Sequence, residues 1–291
     1  MKHYTLKDFQ NEYPNNDACL DKIFKLSYGD NQICKKCNNS VKYYRIKTRK
    51  CYKCPICNNQ LYPMANTIFE KSTTPLTYWF YAIFLFTKSK NGLSASELQR
   101  QIGVTYKTAF RMLHKIRSLL IQENEKFTGI VEMDEAYVGG KNKNRHFDKK
   151  IKHTQGRSHM DKKTLFGIME RGGNVIVRDI PNTSSKHLLP IIYKNVLQNP
   201  ETIIMTDEWT PYKKLDKNYK HEKVYHGKGQ YSNGLCHTNS MENFWSVLKR
   251  TINGSYVGVS KKYMQVYADE VVFRYNNRNN RDIFNSVLEK I

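Results

Sequence analysis

Two sets of residues in this 291-residue chain have the types and spacing to do chemistry. The first is sulfur. Cys34-Lys-Lys-Cys37 and Cys54-Pro-Ile-Cys57 are two CxxC knuckles, and the sixteen residues between them are rich in Tyr, Lys and Arg. Thiolates paired in tight turns at that separation suit one structural Zn2+ held tetrahedrally, with short strands between the pairs, as in a four-cysteine zinc ribbon. Cys51 and Cys54 also make a CxxC, which leaves an alternative second pair. Pro55 and Asn58 give turn chemistry to Cys54 and Cys57, whereas Tyr52 and Lys53 read as strand, so the Cys54–Cys57 pair is preferred. Cys19, Cys51 and Cys236 read as small thiols without a role. Met1 to Phe9 carries charges and no apolar core for a signal peptide, so the thiols are expected to stay reduced in a cytoplasmic protein.

The second set is carboxylate. Asp134 lies within Ile130-Val-Glu-Met-Asp-Glu-Ala-Tyr-Val138, which alternates like a strand, with Ile130, Glu132, Asp134 and Ala136 on one side. Asp207 ends the short apolar run Thr202-Ile-Ile-Met205. Glu242 falls in the first turn of a helix predicted to begin near Ser240, where a carboxylate suits the helix dipole. Lys249 follows two turns later on roughly the same face, with Arg250 beside it. Bare acids packed together repel, but hard divalent cations are held by such oxygens. Two Mg2+ or Mn2+ ions a few Å apart can activate an attacking oxygen and stabilise the leaving oxygen of an in-line phosphoryl displacement. Lys249 and Arg250 are placed to hold phosphates there, and Trp209 or Tyr212 to brace an unpaired base. Glu135 points to the opposite face of a regular strand, Glu208 reads as a surface acid, His237 as a local packing residue, and Asp148, Asp161 and Asp179 as solvated.

The charge balance names the polyanion. Lys and Arg number 48 against 26 Asp and Glu, a formal net charge of +22. Self-repulsion on that scale calls for nucleic acid or an anionic membrane surface, and no apolar run approaches membrane-spanning length, which favours DNA.

The elements that must position these residues divide the chain into three expected parts. Residues 1–70 hold the zinc ribbon, after a short helix carrying Tyr4, Leu6, Phe9 and Tyr13. Residues 71–126 turn helical: Leu76, Trp79, Phe80, Ile83, Phe84 and Phe86 form one apolar face and Leu98 and Ile102 a second. A turn at Gly103 and a cap at Thr105 then lead into a third helix through Ala109, Met112, Leu113 and Ile116. Short helix, glycine turn and longer basic helix is the helix-turn-helix pattern, with Tyr106, Lys107, Arg111 and Lys115 as DNA-binding candidates. Residues 127–291 read as α/β. Strands over 130–138, 164–169 and 174–180 precede a helix over 184–197, the strand ending at Asp207, a strand including Val224 and Tyr225, the Glu242 helix and a last helix over 261–277. Residues 141–163, with nine Lys or Arg against two Asp, read as a basic loop inserted after the first strand.

Three antiparallel strands, a helix, a strand ending in Asp, a further strand and a helix beginning with Glu is the order expected of an RNase H-like domain. The segments VEMDEAYVGGK, IMTDEWTPY and HTNSMENFWSVLKR, with GSYVGVS and FRYNNR after them, resemble those of DDE-type bacterial insertion-sequence transposases of the Merlin-related (ISXO-like) group. That group also carries an N-terminal zinc ribbon and a helix-turn-helix, so the resemblance spans nearly the whole chain. It implies that the acidic triad is Asp134, Asp207 and Glu242, with Lys249 as its following lysine. Some members have Asn in place of the third acid; this chain keeps Glu, and Asn239 lies one turn earlier. The implied activity is binding of terminal inverted repeats, metal-dependent cleavage at the element's ends and joining of the freed 3′ hydroxyls to target DNA, in a homodimer or larger assembly associated with the nucleoid. The alternative is a DNA-binding repressor without catalysis.

Overall fold

A computed structural model describes residues 4–30, 32–122, 125–140, 142, 146–152, 162–208, 210–224 and 237–291. The chain forms two units, one of Met1–Leu119 with Asn280–Ile291 and the other of Leu120–Asn279.

In the first unit the expected single N-terminal helix is two. Helix α1 (Leu6–Glu12) starts at a capping box in which Thr5 and Asp8 each accept the other's backbone N–H. Helix α2 (Asn16–Tyr28) restarts the chain because the Asn15 side chain accepts from the N–H groups of Asp17 and Ala18. The ribbon follows as two small antiparallel sheets. Strand β1 (Gln32–Ile33) pairs with β2 (Ser40–Val41), and β4 (Cys51–Lys53) pairs with both β3 (Tyr44–Ile46) and β5 (Gln60–Leu61). Each knuckle closes on an asparagine in the left-handed region, Asn38 at φ 54° and Asn58 at φ 62°, whose N–H returns to the carbonyl of Cys34 or Cys54. Asparagine visits that region more readily than other side chains of its size.

Helix α3 (Leu76–Lys88) follows with Leu76, Trp79, Phe80, Ile83 and Phe86 buried. Helices α4 (Ala95–Ile102) and α5 (Tyr106–Ser118) are separated by three residues. Gly103 ends α4 at φ 67°, and Thr105 caps α5 by accepting from the N–H of Thr108. A short C-terminal helix, Ile283–Leu288, belongs to this unit as well. Its Phe284 stacks on Tyr4 at 5.4 Å and meets the rings of Phe9 and Tyr13 at 5.9 Å. Sequence periodicity places these last residues with the α/β part, and the structure moves them to the first unit. The tie is one buried ring among distant aromatics, a contact worth about 2–3 kcal/mol that no local pattern announces.

Among its described residues the second unit is one five-stranded sheet with helices on both faces. Strands β6 (Ile130–Val138), β7 (Lys163–Glu170) and β8 (Val175–Ile180) are antiparallel neighbours. After helix α6 (Ser185–Asn195), strand β9 (Ile203–Asp207) runs parallel to β6, and β10 (Lys220–Val224) runs parallel to β9. The order across the sheet is β10-β9-β6-β7-β8. Helices α7 (Asn239–Gly254) and α8 (Met264–Asn276) bury Phe244, Trp245, Leu248, Ala268 and Val271 against Ala136, Leu165, Val175 and Val177. The other face packs Val131, Met133, Phe166 and Ile176 against α6 and against Tyr212 and Leu215 of a 3-10 segment, Thr210–Lys217. Strand β10 starts four residues earlier than its apolar end suggests, because an edge strand reading Lys-His-Glu-Lys-Val needs only Val224 inward. Tyr225 and most of the basic insert lie outside the described residues. Of the insert, Phe147–Lys149 forms a short 3-10 turn and Lys163 opens β7.

Candidate functional site

The sulfur site assembles as the knuckle spacing requires. The Sγ atoms of Cys34, Cys37, Cys54 and Cys57 lie within 4.8 Å of one another, with Cys34 to Cys57 at 3.5 Å and Cys37 to Cys54 at 3.9 Å. A tetrahedral Zn2+ with Zn–S near 2.3 Å needs an S–S edge of roughly 3.8 Å, so the four residues fit that ion. A hydrogen bond from the Tyr43 hydroxyl holds the Cys34 thiol down at about 5, in the thiolate form a metal needs. Cys51 is buried outside this group with its sulfur 3.9 Å from the Gln60 side-chain oxygen, which resolves the alternative pairing.

The three acids come from three separate elements. Strand β6 pairs with β9 in parallel register, Glu132 beside Met205, and that pairing ends there. Two residues further along stand Asp134, in the middle of β6, and Asp207, the last residue of β9, just past the point where the two parallel strands stop pairing, the kind of place where ligands collect in open α/β sheets. Glu242 sits in the first turn of α7, which crosses the same face of the sheet. Gly167 of β7, in register with Asp134, lets the helix come this close. A Cβ at Gly167 would lie 2.3 Å from Met241 Cε and 2.8 Å from Trp245 Cζ2. Trp245 in turn donates its indole N–H to Asp134 Oδ2 at 3.1 Å, and the Thr238 hydroxyl donates to Glu242 at 3.5 Å.

Burial first, and then the charges of Asp207 and Glu242, push the Asp134 carboxyl up to about 6. Both other acids therefore lie within electrostatic reach of Asp134. Among the described residues the four cysteines form the one group of three or more ligand atoms gathered closely enough to hold a metal ion, and the three acids do not form such a group. Their donor set is all carboxylate oxygen, which suits a hard divalent cation, and the repulsion that raises Asp134 is what such a cation relieves.

The flanking candidates divide. Lys249 and Arg250 are exposed on α7, although Arg250 Nε also donates to the Ser246 carbonyl at 3.3 Å. Glu135 faces away from Asp134, as strand alternation requires, and accepts a hydrogen bond from Tyr212. Tyr212 is therefore a correction: at 1% exposure, with its hydroxyl committed to Glu135, it packs in the core and cannot brace a base. Trp209, named for the same role, lies outside the described residues. Glu208 and Asn239 are exposed, and Asp179 pairs with Lys163 at 2.6 Å. In the first unit Tyr106, Lys107 and Arg111 form an exposed strip at the start of α5. Lys115 leaves that strip, because its ammonium donates to the Ile68 carbonyl at 2.9 Å.

Sequence reasoning passed over one residue at the centre of the site. Glu132 is completely buried, and its carboxylate accepts from Arg171 Nε at 2.8 Å, the Ser240 N–H at 2.9 Å, the Ser240 hydroxyl at 3.0 Å and the Met241 N–H at 3.1 Å. The available signal was a glutamate among Ile, Val and Met in mid-strand, which is costly unless a cation meets it. Arg171, in the turn between β7 and β8, supplies that cation.

Comparison with known proteins identifies two domains in the chain. Residues 14–60 match the transposase zinc-ribbon domain, and residues 126–276 match the ISXO2-like transposase domain. An uncharacterized protein in transposable element ISH50 of Halobacterium salinarum is 27% identical over 264 residues, covering 84% of this chain and 85% of that protein. A chain from the crystal structure of the Mos1 strand transfer complex is 12% identical, covering 68% of this chain and 76% of that one, at a TM-score of 0.22. No helix among the described residues is long and apolar enough to cross a membrane. With the transposase-domain match running through more than half of its residues, the chain belongs to the ISXO2-like transposase family.

Proposed function

We propose that the Leu120–Asn279 unit is an RNase H-like catalytic domain that cuts the ends of an insertion sequence and joins them to target DNA. Asp134, Asp207 and Glu242 are its metal-holding acids. The observation that carries this reading is their placement: Asp207 at the end of β9 and Asp134 in mid-β6, both just past the point where these parallel strands stop pairing, with the first turn of a helix supplying the glutamate, and Asp134 raised by both of the others. The strand order β10-β9-β6-β7-β8, with three antiparallel strands followed by two parallel ones, supports the RNase H-like assignment. Family membership supports DNA as partner and polynucleotidyl transfer as the reaction class.

Two Mg2+ or Mn2+ ions held by these acids would activate the attacking oxygen and neutralise charge on the leaving one. The remaining roles belong to the chain. Trp245 fixes the Asp134 carboxylate by its indole N–H, so that the acid does not swing out to solvent. Lys249 and Arg250 take phosphate oxygens by charge-assisted hydrogen bonds from the exposed side of the helix that carries Glu242. In the first unit α4 and α5 act as a helix-turn-helix. Tyr106, Lys107 and Arg111 read the terminal inverted repeats, and the zinc ribbon adds to that contact. Bringing two ends together calls for at least a homodimer.

The test is cleavage of a supercoiled plasmid bearing the element's ends, in Mg2+ or Mn2+, by the intact chain and by Asp207→Ala and Glu242→Gln. Nicking or excision at the ends by the intact chain, lost in both variants while end binding persists, is the expected result. Equal end binding by all three with no cutting under either metal would make the chain a DNA-binding repressor instead.

A further inference from the structure

We propose that the buried Glu132 and the part-buried Arg171 form a clamp that sets the mutual position of the three acids, Glu132 acting as a positioning residue and not as a metal ligand. The inference rests on the reading of Asp134, Asp207 and Glu242 as metal-holding residues. A carboxylate offers about four lone-pair sites, and the four hydrogen bonds from Arg171, Ser240 and Met241 occupy that capacity. No acceptor position is left over for a cation.

What the clamp holds is specific. Ser240 and Met241 are in the first turn of α7, whose backbone N–H groups lack partners within the helix, and Thr238 at the cap makes no side-chain bond to them. Glu132 supplies that cap from 108 residues earlier in the chain. Arg171 Nη2 reaches on to Met205 Sδ and to the carbonyl of His237, both at 3.1 Å, and to His237 Nδ1 at 3.2 Å. One ion pair thereby joins β6, β9 and the start of α7. In each it grips a residue two positions before an acid: Glu132 before Asp134, Met205 before Asp207, and Ser240 before Glu242. In a strand, residues two apart share a face, and in a helix they share a turn. Stability alone is a poor reason for such a pair, since an ion pair with its carboxylate fully buried seldom outperforms well-packed apolar side chains. Fixing three segments in register is a use that apolar packing serves less well.

The experiment is Mn2+ binding to the zinc-loaded full chain, read from the electron paramagnetic resonance signal of the free ion, alongside hydrogen exchange of the amides at 239–245. Wild type is compared with Asp134→Ala, Glu132→Gln and Ser240→Ala well below each unfolding midpoint. Asp134→Ala should abolish specific binding. Glu132→Gln should weaken it about tenfold, the low end for partners that orient metal ligands, and speed exchange in the first turn of α7. Ser240→Ala, which deletes one hydroxyl bond and leaves the fold, should weaken it about threefold and carries the test if Glu132→Gln does not fold. A merely structural role would lower the midpoints and leave Mn2+ affinity unchanged; that result, with Asp134→Ala still losing the ion, overturns the clamp and spares the metal reading. If wild type and Asp134→Ala bind Mn2+ alike, the metal reading fails and the clamp falls with it.

Discussion

Replacing Asp134 with Asn should make the protein more stable at neutral pH when no Mg2+ or Mn2+ is present, although it removes a residue the proposed chemistry needs. Burial and the charges of Asp207 and Glu242 raise this carboxyl from an ordinary 3.8 to about 6. The folded state therefore holds more protons than the unfolded state between those two values, and stability falls as pH rises through that window. Above it the cost is constant. The gap corresponds to about 3 kcal/mol, and because the side chain keeps some contact with water, roughly 2 kcal/mol is the realistic expectation. Asn is nearly isosteric, carries no charge and still offers an oxygen to the Trp245 N–H. The gain should appear at pH 7 and vanish near pH 4, where the wild-type carboxyl is protonated in the folded state. Urea midpoints read by hydrogen exchange of β6 and β7 peptides report on this unit alone, and chelators are avoided so that the zinc ribbon stays loaded. Adding Mg2+ should then raise the wild-type midpoint and not that of Asp134→Asn. An equal gain at pH 4 and pH 7, or none at either, would refute the electrostatic account of the site.

Two further perturbations test the elements that hold the site and the ribbon. Gly167→Ala adds one methyl where Met241 and Trp245 already sit, so it should lift the start of α7 from β7, cost about 1–3 kcal/mol in the same urea assay and lower strand cleavage without changing end binding. Cys54→Ser should reduce zinc, measured by elemental analysis, from one ion per chain towards none and lower the melting temperature of the first unit, whereas Cys51→Ser should keep the ion, since Cys51 lies outside the sulfur cluster.

How much of this was legible in the chain depends on the range of each interaction. Knuckles, caps and strand alternation act within a few residues, so the ribbon cysteines, the turn at Gly103, the cap at Thr105 and the opposed faces of Asp134 and Glu135 could be read from their neighbours. Phe284 could not, because its partners Tyr4, Phe9 and Tyr13 lie at the other end of the sequence. Tyr212 misled for a related reason. An aromatic with a polar tip beside Asp207 looks fit for a base, and only the fold shows the tip committed to Glu135. Lys115 likewise has a basic face in the helical pattern and a carbonyl partner 47 residues away.

Glu132 is the instructive case. Its position two residues from Asp134 on one strand face was plain, and so was the cost of burying a lone carboxylate among apolar neighbours. What the sequence withheld was the identity of the compensating groups, Arg171 from a hairpin turn and two amides from a helix more than a hundred residues on. A mid-strand acid beside a suspected metal ligand can be a further ligand or a support, and the count of donors around its oxygens separates the two. Here that count is four, which makes Glu132 the residue through which the fold passes register to the acids.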